Sequence, residues 1–168
     1  MPKIISTEKI GRQYRKRSVS GVQLFMGESV ISTMAAHADI GFADEKEVMG
    51  LIIGTVYNDE EGEYSVADGT ATTKLDSTNV SVRFDPDSLE DLFRSIDENE
   101  SGTVVGWYHS HPGFGCYLSD TDIKTHSDIF GDGIGFSVVI DPSDETLMVF
   151  SVEDGYPKKV QMVVSEDF

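Results

Sequence analysis

The order of apolar and polar residues predicts a domain that mixes strands with helices. Apolar runs rich in β-branched residues predict buried strands, and the alternation in "NVSVRF" predicts a strand with one covered face. The predicted strands occupy residues 22–25, 47–58, 64–75, 79–84 and 103–110, two more strands surround a turn at 141–144, and the tail 156–168 adds one. A polar "DEEGE" at residues 59–63 predicts a turn between two of these strands.

Three further segments repeat apolar residues at helical spacing, within residues 28–40, 85–102 and 118–130. The first two apolar faces consist of Val30, Ile31, Met34 and Ala35, and of Leu89, Leu92, Phe93 and Ile96. Asp and Ser residues at the start of the second segment, and Ser119 in the third, are N-capping types. The sum is an α/β domain whose central, mostly antiparallel sheet is flanked by helices.

Length and composition indicate one globular domain. A chain of 168 residues with 39% apolar residues is long enough to bury one core. The sequence has no apolar run of the length that spans a membrane and no apolar signal core at its start. With a single cysteine, Cys116, no internal disulfide can form. We therefore expect an intracellular, cytoplasmic protein.

Charge is distributed unevenly along the chain. Residues 1–20 hold six of the 13 Lys and Arg residues and one acid, which predicts a basic N-terminal arm ahead of a domain at 21–168. The domain itself keeps seven basic and 29 acidic residues. Such an acidic surface disfavours nucleic acid, whose phosphates need positive charge, and favours a basic partner. The arm is interpreted either as a flexible tail or as a contact for nucleic acid or an acidic partner.

The stretch "WYHSHPGFGCYLSDTDI", residues 107–123, carries the candidate chemistry. His109 and His111 are two apart at the end of a strand, so both imidazoles point to one side, together with Trp107. Asp122 follows in the first turn of the next helix. Two histidines and a carboxylate are the usual protein ligands of a catalytic zinc, whose fourth position is left to water. Ser119, one turn before Asp122, would then donate to an oxyanion or a water.

Two other interpretations of this stretch remain open from the residues alone. Ser119 and Asp122 also form the S-x-x-D signal of a helix cap, and the histidines then belong to a polar loop. Cys116 would be a nucleophile if a histidine served as its base, although packing in the turn is the plainer role. His126 and His37 are predicted to be solvated helix residues.

The same stretch resembles the JAMM motif of the MPN-type zinc isopeptidases, His-x-His-Pro followed by Ser-x-x-Asp. The family's upstream glutamate occurs in a phrase similar to "EVMGL", which Glu47 opens here, and "VVIDPSDETLMVFSV" is similar to the strand pair that follows the motif. The resemblance covers roughly residues 20–155. Family members include the deubiquitinating subunit of the proteasome lid and the deneddylating subunit of the signalosome.

The resemblance implies a single MPN domain of the cytidine-deaminase-like class and a Zn²⁺-dependent hydrolase. It would cut the isopeptide bond between the C-terminal glycine of ubiquitin, or of a ubiquitin-like modifier, and a target lysine. His109, His111 and Asp122 would hold zinc, Glu47 would be the general base, and Ser119 would steady the tetrahedral intermediate. A flap carrying Val80, Val82 and Phe84 would add a strand to the modifier's tail.

The resemblance also implies partners: modifier conjugates, and the proteasome or its ATPase. Eukaryotic members carry long C-terminal helices, for which we expect no counterpart here, so the sequence resembles a compact, archaeal relative. Two alternatives belong to other functional classes. One is a non-catalytic MPN scaffold, and the other is a related hydrolase that trims a small carrier protein in sulfur transfer.

Overall fold

A computed structural model describes residues 13–78, 82–99, 102–131, 133 and 135–166 of the chain. Within these residues the chain forms ten strands and three helices. The strands are β1 (Leu24–Gly27), β2 (Met49–Asp59), β3 (Gly62–Ala71), β4 (Leu75–Ser77), β5 (Val82–Phe84), β6 (Thr103–Ser110), β7 (Phe136–Asp141), β8 (Thr146–Glu153), β9 (Tyr156–Lys159) and β10 (Met162–Ser165). The helices are α1 (Glu28–Ala43), α2 (Pro86–Glu98) and α3 (Asp120–Phe130).

Eight strands form one mixed sheet in the order β10-β1-β3-β2-β6-β7-β8-β9, and β4 pairs with β5 in a separate two-stranded sheet. Among the described neighbours in the large sheet, four pairs are antiparallel and three are parallel. The long β2–β3 hairpin and the buried β6 occupy the centre of the sheet. The α/β class predicted from the sequence is thus confirmed.

Three predicted strands are corrected by the structure. The strand predicted at residues 64–75 corresponds to β3, which ends at Ala71, and Leu75 already belongs to β4. The first strand spans Leu24–Gly27 instead of residues 22–25, because its backbone pairs with β3 and β10 only from Leu24 onward. The tail forms two strands instead of one. β9 turns back antiparallel to β8, and β10 then crosses to lie parallel to β1 at the other edge of the sheet.

Local capping explains where α2 and α3 begin. The Asp85 carboxylate accepts a hydrogen bond from the backbone N–H of Ser88, and Pro86 occupies the first turn, where no intrahelical donor is required. Ser119 and Asp122 form a reciprocal capping box at the start of α3. The predicted capping residues of both helices are therefore confirmed.

The helices cover opposite faces of the sheet. Val30, Met34 and Ala38 of α1 pack with buried residues such as Ile52 and Tyr108 on one face. On the other face, Trp107 of β6 packs in a cluster with Phe130 of α3 and Ile96 of α2. Neighbouring residues of a strand therefore point into different layers, as the alternation predicts. The described helices have 16, 13 and 11 residues, and none is long and apolar enough to cross a membrane.

Residues 13–20 of the predicted basic arm lie against the β2–β3 hairpin. The Arg17 guanidinium binds the Asp59 carboxylate at 2.8 Å through both Nε and Nη2, and both side chains are buried. Arg17 also donates to the carbonyl oxygens of Val22 and Gly62. This part of the arm is therefore attached to the domain, while residues 1–12 lie outside the described residues and their role as a tail stays a prediction.

Candidate metal centre

Three predicted ligand atoms meet at one point. His109 Nε2, His111 Nε2 and Asp122 Oδ2 are 3.1 Å from one another in all three pairs. Both histidines are buried, and the Asp122 side chain is 15% exposed, so the point is reached from one side only. In the described part of the chain these residues form the one group of three or more His, Cys, Asp or Glu side chains that is arranged to hold a metal ion.

The ligands come from the end of β6 and the start of α3. His109 lies between Met49 of β2 and Val139 of β7, which fixes its backbone on both sides. The backbone N–H of His111, one residue past β6, still donates to the carbonyl of Ile140 at 2.8 Å. The loop from 112 to 118 then returns the chain to the N-terminus of α3, where Asp122 sits.

Asp122 is both a helix-capping residue and a candidate metal ligand, the two roles that the sequence left open. Its Oδ2 atom accepts a hydrogen bond from the backbone N–H of Ser119 at 2.9 Å and also faces both histidines. Burial alone raises the pKa of Asp122, but the two imidazoles and the Ser119 N–H outweigh it and hold this pKa far below its usual range. The helix cap thus fixes a negatively charged ligand oxygen in place.

The loop between the ligands is organised by Asp141, which the sequence analysis assigned only to a turn. Its buried carboxylate accepts hydrogen bonds from the backbone N–H groups of Gly113 and Gly115, at 3.0 and 2.8 Å. Both glycines have φ near +80°, a conformation that other residues rarely adopt. Gly115 in turn offers its carbonyl oxygen to His111 Nδ1 at 3.2 Å. A proton on Nδ1 leaves Nε2 free to bind a metal.

His109 is held by stacking. Its ring lies 4.4 Å from the Trp107 ring, centroid to centroid, at an angle of 12°. Trp107 therefore shares the face of the ligands, as predicted, and Tyr108 points to the α1 side. There Tyr108 Oη lies 2.7 Å from Nδ1 of His37. His37 is thus partly buried and hydrogen-bonded, which corrects the prediction that it is solvated.

The prediction for His126 is also wrong, because this side chain is only 2% exposed. The Trp107 indole N–H donates to His126 Nδ1 at 3.2 Å, and Ser137 Oγ lies 2.9 Å from the same nitrogen. Trp107 and Ser137 are direct neighbours on β6 and β7. The pairing of β6 with β7 brings together Trp107 and Ser137, which are 30 residues apart in the sequence. No local pattern in the sequence therefore signals that His126 is buried.

Glu47 lies two residues before β2 and is buried near His111 and Asp122. Burial raises its pKa to about 7, the nearby Asp122 charge adds to the rise, and His111 opposes it. The backbone of Glu47 is fixed by Thr78 and by the Ser77 hydroxyl at the end of β4. A carboxyl group with a pKa near 7 suits proton transfer at neutral pH.

Ser110, which the sequence analysis missed, fixes Val48, the residue between Glu47 and β2. Its hydroxyl accepts a hydrogen bond from the backbone N–H of Val48 at 2.8 Å, and its own N–H donates to the Val48 carbonyl at 3.0 Å. The residue between the two histidines thus connects them to the neighbour of Glu47. In the sequence, only the position of Ser110 between the two histidines of the motif points to this role.

Ser119 and Cys116 differ in their relation to the site. The Ser119 hydroxyl oxygen accepts from the Asp122 N–H at 3.1 Å, which leaves the hydroxyl hydrogen available as a donor. Cys116 Sγ instead contacts the Val139 carbonyl at 3.4 Å and packs in a small cluster with Leu118. These contacts favour the packing role of Cys116 over the nucleophile role.

The predicted substrate strand is present only in part. β4 and β5 form a hairpin in which Val82 pairs with Ser77 and Phe84 with Leu75. Phe84 is buried and Val82 partly buried against the α2 side of the core. Val80 lies outside the described residues. A groove of about 200 Å³ runs beside this hairpin, and its lining includes Met49, Arg83, Phe84, Leu89, Phe93 and Ile129.

The donor set and its spacing fit a zinc ion. Two imidazole nitrogens and one carboxylate oxygen are zinc ligands of the catalytic type. Ligands about 2.0 Å from a tetrahedral centre are roughly 3.3 Å apart, and the three atoms here are separated by 3.1 Å. A cation there would also compensate the buried charge of Asp122. The residues therefore match the group that the resemblance implies.

Comparison with known proteins identifies the family. Residues 20–130 match the family model described as JAB1/Mov34/MPN/PAD-1 ubiquitin protease, so the chain belongs to this family. It is 29% identical over 149 residues to ubiquitin carboxyl-terminal hydrolase RPN11 of Saccharomyces cerevisiae, covering 84% of this chain and 46% of that protein. It is 32% identical over 155 residues to COP9 signalosome complex subunit 5 of Oryza sativa subsp. japonica, covering 86% and 39%.

The chain spans less than half the length of these curated relatives. Among solved structures, protein DSY2949 of Desulfitobacterium hafniense matches 86% of this chain and 94% of its own, with a TM-score of 0.67 and 17% identity. That likeness supports a single domain of the same fold. The predicted MPN domain is thereby confirmed.

Proposed function

We propose that this protein is a zinc-dependent isopeptidase that releases ubiquitin or a ubiquitin-like modifier from a target lysine. The observation that carries the proposal is the triangle of ligand atoms at 3.1 Å, with a buried carboxyl group of raised pKa beside it. Two imidazoles and a carboxylate would leave the fourth position of a bound zinc to water. A scaffold subunit does not need such an open position. Membership of the family supports the substrate class.

Each residue has a distinct role in the proposed reaction. His109, His111 and Asp122 would hold zinc, and a bound zinc would supply an acidified water and a Lewis acid for the scissile carbonyl. Glu47 accepts the proton of the attacking water and passes it to the departing lysine amine. Ser119 uses its free hydroxyl hydrogen to stabilise the oxyanion that develops on the carbonyl.

The modifier's tail is proposed to lie along the β4–β5 hairpin. Ser77 and Thr78 at the end of β4 contact the backbone of Glu47, so the hairpin ends beside the proposed base. A strand added there would gain main-chain hydrogen bonds and would need narrow residues near the metal, as in a Gly-Gly end. The adjacent apolar groove would accept one of the tail's side chains.

The test compares two substrates for the purified protein. One is a ubiquitin-like modifier joined to a lysine through a diglycine isopeptide bond, and the other is a short peptide with the same bond. Preferential cleavage of the conjugate is expected, and Glu47→Gln should abolish it while Cys116→Ser leaves it intact. Equal cleavage of both substrates would favour a small-peptide hydrolase, and an inactive Cys116→Ser protein would refute the metal mechanism.

A further inference from the structure

The two histidine ligands are oriented by different contacts. His111 has a hydrogen-bond partner for Nδ1, the carbonyl of Gly115. His109 Nδ1 is buried and has no hydrogen-bond partner among the described residues. Metal-bound histidines usually owe their orientation to a hydrogen bond from this second nitrogen. His109 therefore depends on its stacking with Trp107, at 4.4 Å and 12°.

Trp107 is itself fixed through its indole N–H. The ring is 1% exposed, and its Nε1–H donates to His126 Nδ1 at 3.2 Å. A tryptophan nitrogen can only donate, so His126 must present the lone pair of a neutral imidazole. Burial favours this form, because it lowers the pKa of His126 to about 4. Without an acceptor here, the buried N–H would be unsatisfied and the indole would lose its fixed rotation.

His126 also lies on the helix that supplies the carboxylate ligand. Asp122 and His126 are four residues apart on α3, so they share one helix face. Asp122 reaches the histidine ligands from this face, and His126 reaches Trp107 and Ser137 of the sheet. One turn of α3 thus combines a ligand with an anchor to the strand that carries His109.

We propose that His126 is a positioning residue of the metal centre: it fixes the Trp107 indole, which holds the His109 ring in the orientation that binds the ion. The proposal rests on the proposed function, because it assumes a metal at the three ligands. His126 itself touches neither the metal nor the substrate. Its removal should therefore weaken metal binding without removing any ligand.

The test uses three variants and two measurements. His126→Leu removes the acceptor, and His126→Gln offers an amide oxygen in its place. Val30→Ala is a stability control on α1, which carries no ligand and packs on the opposite face of the sheet from Trp107. Co²⁺ affinity and the Co²⁺ absorption spectrum report on the ligands. Trp107 is the chain's one tryptophan, so the metal-free protein gives a single indole ¹H–¹⁵N resonance that reports on its hydrogen bond.

We expect His126→Leu to weaken Co²⁺ binding about tenfold or more, to alter the spectrum and to shift the indole resonance. His126→Gln should restore all three, and Val30→Ala should leave the resonance in place. An unchanged Co²⁺ affinity in His126→Leu, an equal loss in Val30→Ala, or no recovery in His126→Gln would overturn the proposal. A wild-type protein that bound no Co²⁺ would refute the proposed function as well.

If His126→Leu does not fold, Trp107→Phe gives the same comparison. Phenylalanine keeps an aromatic ring beside His109 but has no N–H for His126 to accept. Under the proposal this ring is free to rotate, so Co²⁺ binding weakens several-fold. Wild-type affinity in Trp107→Phe would overturn the role of His126, whatever the stability of the variant.

Discussion

Glu47 is the residue on which the proposed chemistry depends most. Its side chain is 6% exposed, and burial places its pKa near 7 instead of the ordinary 4.5. A carboxyl group with a raised pKa in the folded state stabilises the fold while it is protonated. That contribution is complete below about pH 4.5 and is lost as the pH rises through 7.

Replacing Glu47 should therefore stabilise the metal-free protein in a pH-dependent way. In the presence of a chelator, Glu47→Gln is expected to raise the free energy of unfolding by roughly 1–3 kcal/mol at pH 8 and by almost nothing at pH 4.5. Thermal or denaturant unfolding at both pH values measures the difference. A stabilisation that was equal at pH 4.5 and pH 8 would show that the folded pKa is not raised.

The ligand loop between β6 and α3 depends on one carboxylate outside the motif. Asp141→Ala removes the acceptor of the Gly113 and Gly115 N–H groups. The Gly115 carbonyl then no longer has a fixed position beside His111, and we expect metal affinity to fall about 10–100-fold. Competition with a chromophoric chelator measures this affinity.

Ser143→Ala is the matched control for the loop. It removes the Ser143 hydroxyl, a donor to Asp141 at 2.6 Å, but leaves both glycine contacts intact. Its metal affinity should remain close to that of the wild type. If Asp141→Ala also bound metal normally, the loop would not depend on Asp141.

The pairing of β2 with β3 contains a β-bulge or similar irregularity. The pairing register shifts between Ile53 and Gly54, and a Cβ atom built on Gly54 would lie 1.9 Å from the Val66 carbonyl oxygen. Gly54→Ala must therefore move the backbone, at a cost of about 1–3 kcal/mol or more. At Gly69 the nearest atom would be 3.9 Å away, so Gly69→Ala serves as the control in chemical denaturation. Equal stability of the two variants would contradict this interpretation.

Local signals in the sequence predicted where helices begin better than they predicted which strands pair. The caps at Asp85 and Ser119 act within three residues of sequence, so the start of each helix was predictable. The parallel pairing of β10 with β1 joins segments more than 130 residues apart, and no local pattern encodes it. The sheet's strand order and the split of the tail were therefore not predictable.

The candidate site was also predictable only in part. His109, His111 and Asp122 were found from spacing and from the resemblance, and the structure brings them together. His126 was misassigned because its burial comes from Trp107 and Ser137 on strands rather than from its own helix. Asp141 was missed as part of the site because a turn signal does not reveal which amides the carboxylate binds.

At the scale of the whole molecule, the buried pair of Arg17 and Asp59 joins the N-terminal segment to the β2–β3 hairpin. The hydrogen bonds from Arg17 hold the pKa of Asp59 well below its usual range. A lowered carboxyl pKa means that the pair stabilises the fold above about pH 4 and that this contribution is lost as the pH falls. Arg17→Gln should therefore lower Tm by several degrees at pH 7, and this loss should shrink in strong acid, as the pH falls through the lowered pKa of folded Asp59.

Arg15→Gln is the control for this prediction. The Arg15 guanidinium lies over the Tyr57 ring at the surface, 4.9 Å from its centroid, and exposed contacts of this kind contribute little. Thermal unfolding of both variants across this pH range tests the comparison. An equal Tm loss in Arg15→Gln, or a loss in Arg17→Gln that did not shrink in acid, would contradict the proposed role of the buried pair.

The proposed reaction depends on a zinc ion held by His109, His111 and Asp122. The most direct measurement is the metal content of the purified protein and its Asp122→Asn variant, by mass spectrometry, with cleavage of a modifier–lysine conjugate measured on the same samples. We predict one zinc per wild-type chain, little in the variant, and cleavage that a chelator abolishes and zinc restores. Wild-type protein that cleaved the conjugate without metal would refute zinc catalysis, and Asp122→Asn protein that kept its zinc would refute Asp122 as a ligand.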